Sequence, residues 1–201
     1  MHQMRITIVY DNRALPGFKA AWGFSCLIEH GMNILFDTGG NAKILRHNME
    51  KLGISLDTID AIFISHAHRD HAGGLKGLPF RGAVFVPPSS KLEGVKIEKG
   101  EFLPDFIATG ERYGERSLVV RDGNEVVVIT GCAHNGLEYV LHTAAEYGSI
   151  KAVIGGFHDF RDIAMLRHYP LVVPCHCTVR KREIERFENA QPCRAGGVIH
   201  L

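Results

Sequence analysis

Hydrophobic residues recur along this chain at two periods. Residues 4–10 (MRITIVY), 24–29 (FSCLIE) and 33–37 (NILFD) are short runs rich in β-branched and aromatic side chains, which predicts three strands. A turn at His30–Gly31 joins the last two. Ile44, Leu45, Met49 and Leu52 then recur at helical spacing with Gly53 behind them, which predicts a helix over 41–52. The same reasoning predicts strands at 61–65, 83–86, 106–109, 117–121, 125–130, 151–154 and 171–173, and helices at 136–147 and 180–188. Asp122–Gly123 marks a hairpin, and a last short strand falls at Val198–Ile199. Antiparallel strands first, then strands alternating with helices, predict an α/β (α+β) chain whose two sheets carry helices on their outer faces. No repeat, low-complexity tract or linker interrupts 1–201, so a single domain is expected.

Composition narrows the class. Hydrophobic residues make up 45% and charged residues 22%, which excludes a disordered chain. The longest apolar runs, as around Val126–Ile129, are far too short to span a bilayer. Net charge is +1 with no block of one sign, so neither nucleic acid nor an anionic membrane is expected as a partner. No basic stretch followed by an apolar run opens the chain, and the expected address is the cytoplasm. Five cysteines without a regular spacing read as reduced thiols rather than a disulfide framework. The twelve histidines change the picture most.

Four times an apolar strand runs through small or turn residues into a histidine: AIFIS before His66, VVVITGCA before His134, KAVIGGF before His158 and LVVPC before His176. A fifth strand ends in Asp37. Residues just past strand ends of a layered α/β protein gather along one edge, so side chains distant in sequence can converge there. The densest piece is His66-Ala67-His68-Arg69-Asp70-His71. In a helix, positions 66 and 68 would point about 200° apart; in an extended turn they share a side and can chelate one ion. Asp70 and His71, further round the loop, can face a second. A lone histidine at a strand end is ordinarily a satisfied polar residue, but this string before Gly73–Gly74 reads as a metal motif. Neutral imidazoles with a carboxylate suit zinc first, then manganese or iron. His134, His158 and His176 are available to complete the coordination. His2, His30, His47, His142, His168 and His200 read as ordinary residues of turns and helices, without partners.

Arg69, Arg180 and Lys181 lie beside these donors, where a phosphate-bearing substrate would use them, although a solvated surface is the commoner role for such residues. Phe18, Lys19 and Trp22 precede the 24–29 strand in a loop able to overhang the site; packing is the commoner role for Trp22. Cys132, Cys175 and Cys177 flank His134 and His176, yet the spacing with Cys193 lacks the paired cysteines of a zinc finger.

The motifs resemble the metallo-β-lactamase superfamily. The resemblance runs through YDN (10–12), GFS (23–25), LFDTG (35–39), SHAHRDHAGGL (65–75), TGCAHNG (130–136), GGFH (155–158) and PCHCT (174–178). The last two are similar to a branch that includes a dihydropterin–ribofuranosylaminobenzene phosphate synthase and a group of metal-dependent hydrolases. This resemblance implies a four-layer αβ/βα sandwich holding one or two divalent ions. By position, His66, His68 and His134 would hold the first ion, and Asp70, His71 and His176 the second. Asp37 would hydrogen-bond and orient the ligand loop. Many superfamily enzymes carry a bridging aspartate where this chain has GGFH; His158 is the favoured replacement and Asp159 the alternative. With His176 a ligand, Cys175 and Cys177 should share the opposite face of an extended chain and point away as small buried hydrophobes.

The expected activity is hydrolysis of an ester-type bond, phosphoester or acyl, in a small metabolite with or without a phosphate. Metal ions lower the pKa of bound water toward about 7, which makes hydroxide available as the nucleophile. Asp70 would hold metal and accept the water's proton, and His158 would protonate the leaving group or bind an oxyanion. The competing readings are a synthase or lyase-type step in pterin cofactor assembly and a non-catalytic metal or ligand sensor. Asp70 argues against the sensor.

Overall fold

The computed structural model describes residues 3–201, so His2 lies outside the described residues. The chain forms two compact units. The first takes residues 3–86, Ser90–Lys96 and Cys193–Leu201; the second takes Pro87–Ser89 and Ile97–Pro192.

The first unit holds strands β1 (Arg5–Tyr10), β2 (Ser25–His30), β3 (Met32–Phe36), β4 (Ala61–Phe63), β5 (Ala83–Val86), β6 (Val95–Lys96) and the C-terminal β13 (Val198–His200). They form one mixed sheet in the order β13-β1-β2-β3-β4-β5-β6. The β13, β1, β2 and β3 neighbours are antiparallel, and β3 to β6 run parallel. Parallel neighbours need a crossover, and helix α1 (Ala42–Lys51) makes the one between β3 and β4. Asn41 caps it by accepting from the backbone of Lys43 at 2.9 Å. Leu45 and Met49 of α1 pack with Val9, Leu27, Leu35, Ile62 and Val86 on one face of the sheet. Asn48 is buried on that same face and fully used. Its amide donates to the carbonyls of Val9 and Lys19, and its oxygen accepts from Lys19 at 2.9 Å. The loop that carries Trp22 is thereby tied to α1.

The second unit holds β7 (Gly100–Leu103), β8 (Phe106–Ala108), β9 (Leu118–Asp122), β10 (Glu125–Thr130), β11 (Ser149–Gly156) and β12 (Leu171–Cys175). Their sheet runs β12-β11-β10-β9-β8-β7, with β10, β11 and β12 parallel and the rest antiparallel. Asp122 pairs with Glu125 across a tight turn in which Gly123 takes φ +65°. Helix α3 (Leu137–Ala145) follows the short helix α2 (Arg69–Ala72) of the first unit in chain order. Leu137, Val140, Leu141 and Ala144 of α3 pack with Ile107, Val119, Val128, Val153 and Val172 on one sheet face.

Most predicted elements are present within a residue or two, and the differences have identifiable causes. The HAHRDH segment is not loop throughout, because residues 69–72 close one α-helical turn. The helix expected over 180–188 shrinks to α4 (Lys181–Ile184). Beyond it the backbone turns back to pair with β12, Val172 donating to Asn189 at 2.9 Å and accepting from Gln191 at 2.9 Å. Strands β6 and β7 lie at sheet edges with few buried positions, so they lack the alternation that marks a strand in sequence. His30 and His200 lie on strands rather than in turns. His47 sits 3.4 Å from the Gly17 carbonyl, so it has a partner where none was expected. No helix among the described residues is long and apolar enough to cross a membrane.

Candidate metal centre

Each unit presents its own donors just past the ends of its parallel strands, where backbone pairing stops and side chains are free to leave the sheet. These exits are conformationally unusual. Among the described residues, six non-glycine residues have positive φ, and four of them are Asp37, Ala133, His158 and His176. For L residues that region is sparsely allowed, and such residues cluster where surrounding structure holds a functional geometry.

In the first unit Asp37, fully buried after β3, organises the rest. Its Oδ1 accepts the Ser65 backbone N–H at 2.7 Å, and its Oδ2 accepts the Ser65 hydroxyl and His71 Nδ1–H, each at 2.7 Å. Burial pushes the Asp37 carboxyl above its usual pKa, while His71 and the Ser65 bonds pull it back. With the Ser65 proton spent on Asp37, the hydroxyl oxygen accepts from His66 Nδ1 at 2.9 Å. Both His66 and His71 are thereby held in the tautomer that leaves Nε2 with its lone pair. The His66 ring centroid lies 4.6 Å from that of His68 and 4.2 Å from that of His71. The His71 carbonyl is clamped by the Thr38 backbone N–H and hydroxyl, at 2.7 and 3.0 Å.

Asp70, on α2, has its Oδ2 3.8 Å from His71 Nε2. The same oxygen accepts the Trp22 indole N–H at 3.0 Å. Trp22 is 63% exposed, so this contact orients a carboxylate rather than filling a core. A cavity of about 440 Å³ opens beside it, lined by Tyr10, Trp22, Asn41, Ile44, Arg69 and Asp70.

In the second unit the organiser is Glu115, which the sequence reading missed. It is fully buried. Oε1 accepts the backbone N–H groups of Cys132 and Ala133 at 2.7 and 2.9 Å, and Oε2 accepts that of His134 at 2.8 Å. Oε2 also lies 2.7 Å from His134 Nδ1, which fixes that ring as Asp37 fixes His71. Glu115 stands among Tyr113, Gly114 and Arg116 with no periodicity or spacing that marks it. The His134 and His158 ring centroids are 4.9 Å apart. The two side chains weighed for the bridging position diverge: His158 is beside His134, whereas Asp159 lines a cavity of about 250 Å³ with Gly136, Leu137, Glu138 and Arg161.

His176 is buried at the end of β12 and its φ of +40° breaks the strand alternation. This corrects the expectation for the thiols. Cys175 stays in the strand and donates to the Val173 carbonyl at 3.3 Å, whereas Cys177 leaves its predicted face. The ligand atoms of Cys132, His176 and Cys177 all lie within 4.8 Å of one another. The Thr178 hydroxyl, which accepts from Phe157 N–H at 3.0 Å and donates to the Cys175 carbonyl at 2.7 Å, stitches this turn to β11. Arg180 is committed elsewhere, to Glu183 at 2.6 Å and the Arg161 carbonyl at 2.7 Å. Lys181 donates to the His176 carbonyl at 3.1 Å.

The donors fit a divalent cation by their chemistry. His66, His71 and His134 each have Nδ1 against an oxygen, which leaves Nε2 as the available ligand atom. This is the usual support of a metal-binding imidazole.

Known proteins resemble this chain in sequence and in fold. The sequence model described as the metallo-beta-lactamase superfamily matches residues 23–103. An uncharacterized protein of Methanocaldococcus jannaschii is 31% identical, over 76% of this chain and 78% of its own. The 7,8-dihydropterin-6-methyl-4-(beta-D-ribofuranosyl)-aminobenzene-5'-phosphate synthase of the same organism is 27% identical, over 90% of each chain. Among solved structures, Tm1679, a metal-dependent hydrolase of the beta-lactamase superfamily, is 30% identical at a TM-score of 0.82, covering 98% of this chain and 99% of its own.

Proposed function

The chain belongs to the metallo-beta-lactamase superfamily, and from that membership we propose that it is a hydrolase of a small-molecule ester, phosphoester or acyl. Members of the superfamily are mostly metal-dependent hydrolases. The observation that carries the reading is the shared support of His66, His71 and His134, each presenting Nε2 while an oxygen holds Nδ1.

Following the superfamily pattern, His66, His68 and His134 would hold one divalent ion, and Asp70, His71 and His176 a second, with zinc first and manganese or iron next. Such ions, when bound, supply Lewis acidity and make water acidic enough to ionise near neutral pH. The remaining work belongs to the chain. Asp37 and Glu115 hold the imidazole tautomers, and the Trp22 indole N–H holds Asp70 Oδ2, the oxygen that faces His71 Nε2. Asp70 accepts the proton of the attacking water. His158, exposed and beside His134, donates a proton to the leaving oxygen or steadies developing negative charge. The cavity between Trp22 and α1 accepts the body of the substrate, with Arg69 at its edge for an anionic group.

A second reading, a synthase-type step, is favoured by the 27% identity to the dihydropterin synthase over nine-tenths of both chains. Elemental analysis of purified protein, with a screen of phosphodiesters, phosphomonoesters, lactones and thioesters, tests the first reading. Bound divalent metal and turnover that both fall in His68→Ala are expected. Unchanged metal content and unchanged hydrolysis in that variant would overturn it. Turnover that requires a second organic substrate would select the synthase.

A further inference from the structure

The backbone at His176 brings two thiols that the hydrolase reading does not use beside an imidazole that it does. We propose that Cys132, His176 and Cys177 form a site for a thiophilic divalent cation. Their three ligand atoms lie within 4.8 Å of one another, two of them sulfurs and one an imidazole nitrogen. A tetrahedral zinc ion with sulfur at about 2.3 Å and nitrogen at about 2.0 Å needs donors roughly 3.5–3.8 Å apart. Closure therefore asks for side-chain shifts of about an ångström or less, within rotamer and backbone adjustment.

The surroundings hold the sulfurs in place. The Cys177 thiol donates to the Cys132 carbonyl at 3.8 Å, joining residues 45 apart in sequence. Cys132 is pinned through its N–H, which Glu115 accepts at 2.7 Å. Gly156 makes room for the pair, since a Cβ there would meet Cys177 Sγ at 2.7 Å and Cys132 Cα at 3.2 Å. A Cβ there would also collide with the Gly131 carbonyl oxygen, so a larger residue would disturb both that backbone and the Cys177 thiol. Two thiols and a cation set the balance: both S–H bonds lose a proton, two metal–sulfur bonds form, and two protons leave for solvent with no change in oxidation state. Thiolates prefer soft or borderline cations such as zinc and cadmium over manganese or magnesium, so the site selects differently from histidine and carboxylate donors.

Occupation takes the His176 imidazole. This consequence rests on the hydrolase reading, which assigns that ring to the second catalytic ion. A thiophilic cation here would compete with that ion, and an excess of it would inhibit turnover.

The test is a titration of the metal-stripped full chain with cadmium alone, followed by the thiolate-to-metal charge-transfer absorbance in the ultraviolet. A saturable band and release of two protons per ion are expected. The Cys132→Ser/Cys177→Ser double variant should lose the band, and the Cys177→Ser single variant, at a half-buried position, should weaken binding at least about tenfold. Cys26, Cys175 and Cys193 are fully buried and should contribute nothing. His68→Ala should keep the band in full, which separates failure of this site from failure of the hydrolase reading. No band in the natural sequence, or a band undiminished in Cys177→Ser and the double variant, would overturn the proposal.

Discussion

Replacing Glu115 should expose how much of the second unit's donor geometry depends on one carboxylate. Its two oxygens accept three backbone N–H groups, from Cys132, Ala133 and His134, and lie against His134 Nδ1, all between 2.7 and 2.9 Å. Glu115→Ala leaves three backbone donors without an acceptor, two of them buried and one part-buried. Each costs about 1–3 kcal/mol if unrelieved, and water entering the vacated volume brings the total toward about 3–5 kcal/mol. That is a large share of a stability of about 5–15 kcal/mol, so the alanine variant is expected to be poorly folded. Glu115→Gln separates folding from positioning. Its amide oxygen can keep Cys132 and Ala133, but its NH₂ then faces the His134 N–H, for a cost of about 1–3 kcal/mol. The same NH₂ favours the His134 tautomer that accepts at Nδ1, which puts a proton on Nε2 and removes its lone pair. Metal affinity should fall about 10–100-fold, the usual penalty for losing the partner of a ligating histidine. Urea unfolding of the metal-free protein reads the first effect, and competition against a chromophoric chelator reads the second. Glu115→Gln with an unchanged urea midpoint and metal affinity within about twofold would refute the assignment of Glu115 as the residue that holds His134.

Asp37→Asn, which keeps the volume but loses an acceptor shared by the Ser65 hydroxyl and His71, should destabilise by about 1–3 kcal/mol and weaken metal binding at least about tenfold. Melting with and without zinc checks both. Trp22→Phe keeps an aromatic ring on an exposed site but removes the N–H that holds Asp70. Stability should stay within about 0.5 kcal/mol, while the metal dependence of turnover shifts to higher concentration; an unshifted dependence would count against this role. Zinc at about 100 times its dissociation constant should raise the stability of metal-stripped protein by about 2.7 kcal/mol. Calorimetric scans at increasing zinc read this as a rising midpoint, and a constant midpoint would show that the folded chain has no preference for the ion.

Much of the fold was legible in the chain because its signals are local. Strands β1, β2, β3, β5 and β10 carry dense β-branched and aromatic runs, and α1 carries both a helical period and a cap. The HxHxDH string was legible for the same reason, since close spacing of metal-competent side chains is a property of sequence alone. The edge strands β6 and β7 were not, because pairing with a neighbour rather than their own composition makes them strands.

The sequence by itself determined which residue types stand at the strand exits: imidazoles at 66, 134, 158 and 176, and a carboxylate at 37. Tertiary structure alone decided how they are held. Glu115 reaches His134 across 19 positions, and no local pattern could announce a buried carboxylate whose partners are mostly backbone N–H groups of another segment. Likewise the positive φ at His176 overrides the alternation that governs an extended chain and turns Cys177 toward Cys132. Side-chain direction follows local periodicity only while the backbone stays regular, and at these strand ends long-range hydrogen bonds hold it otherwise.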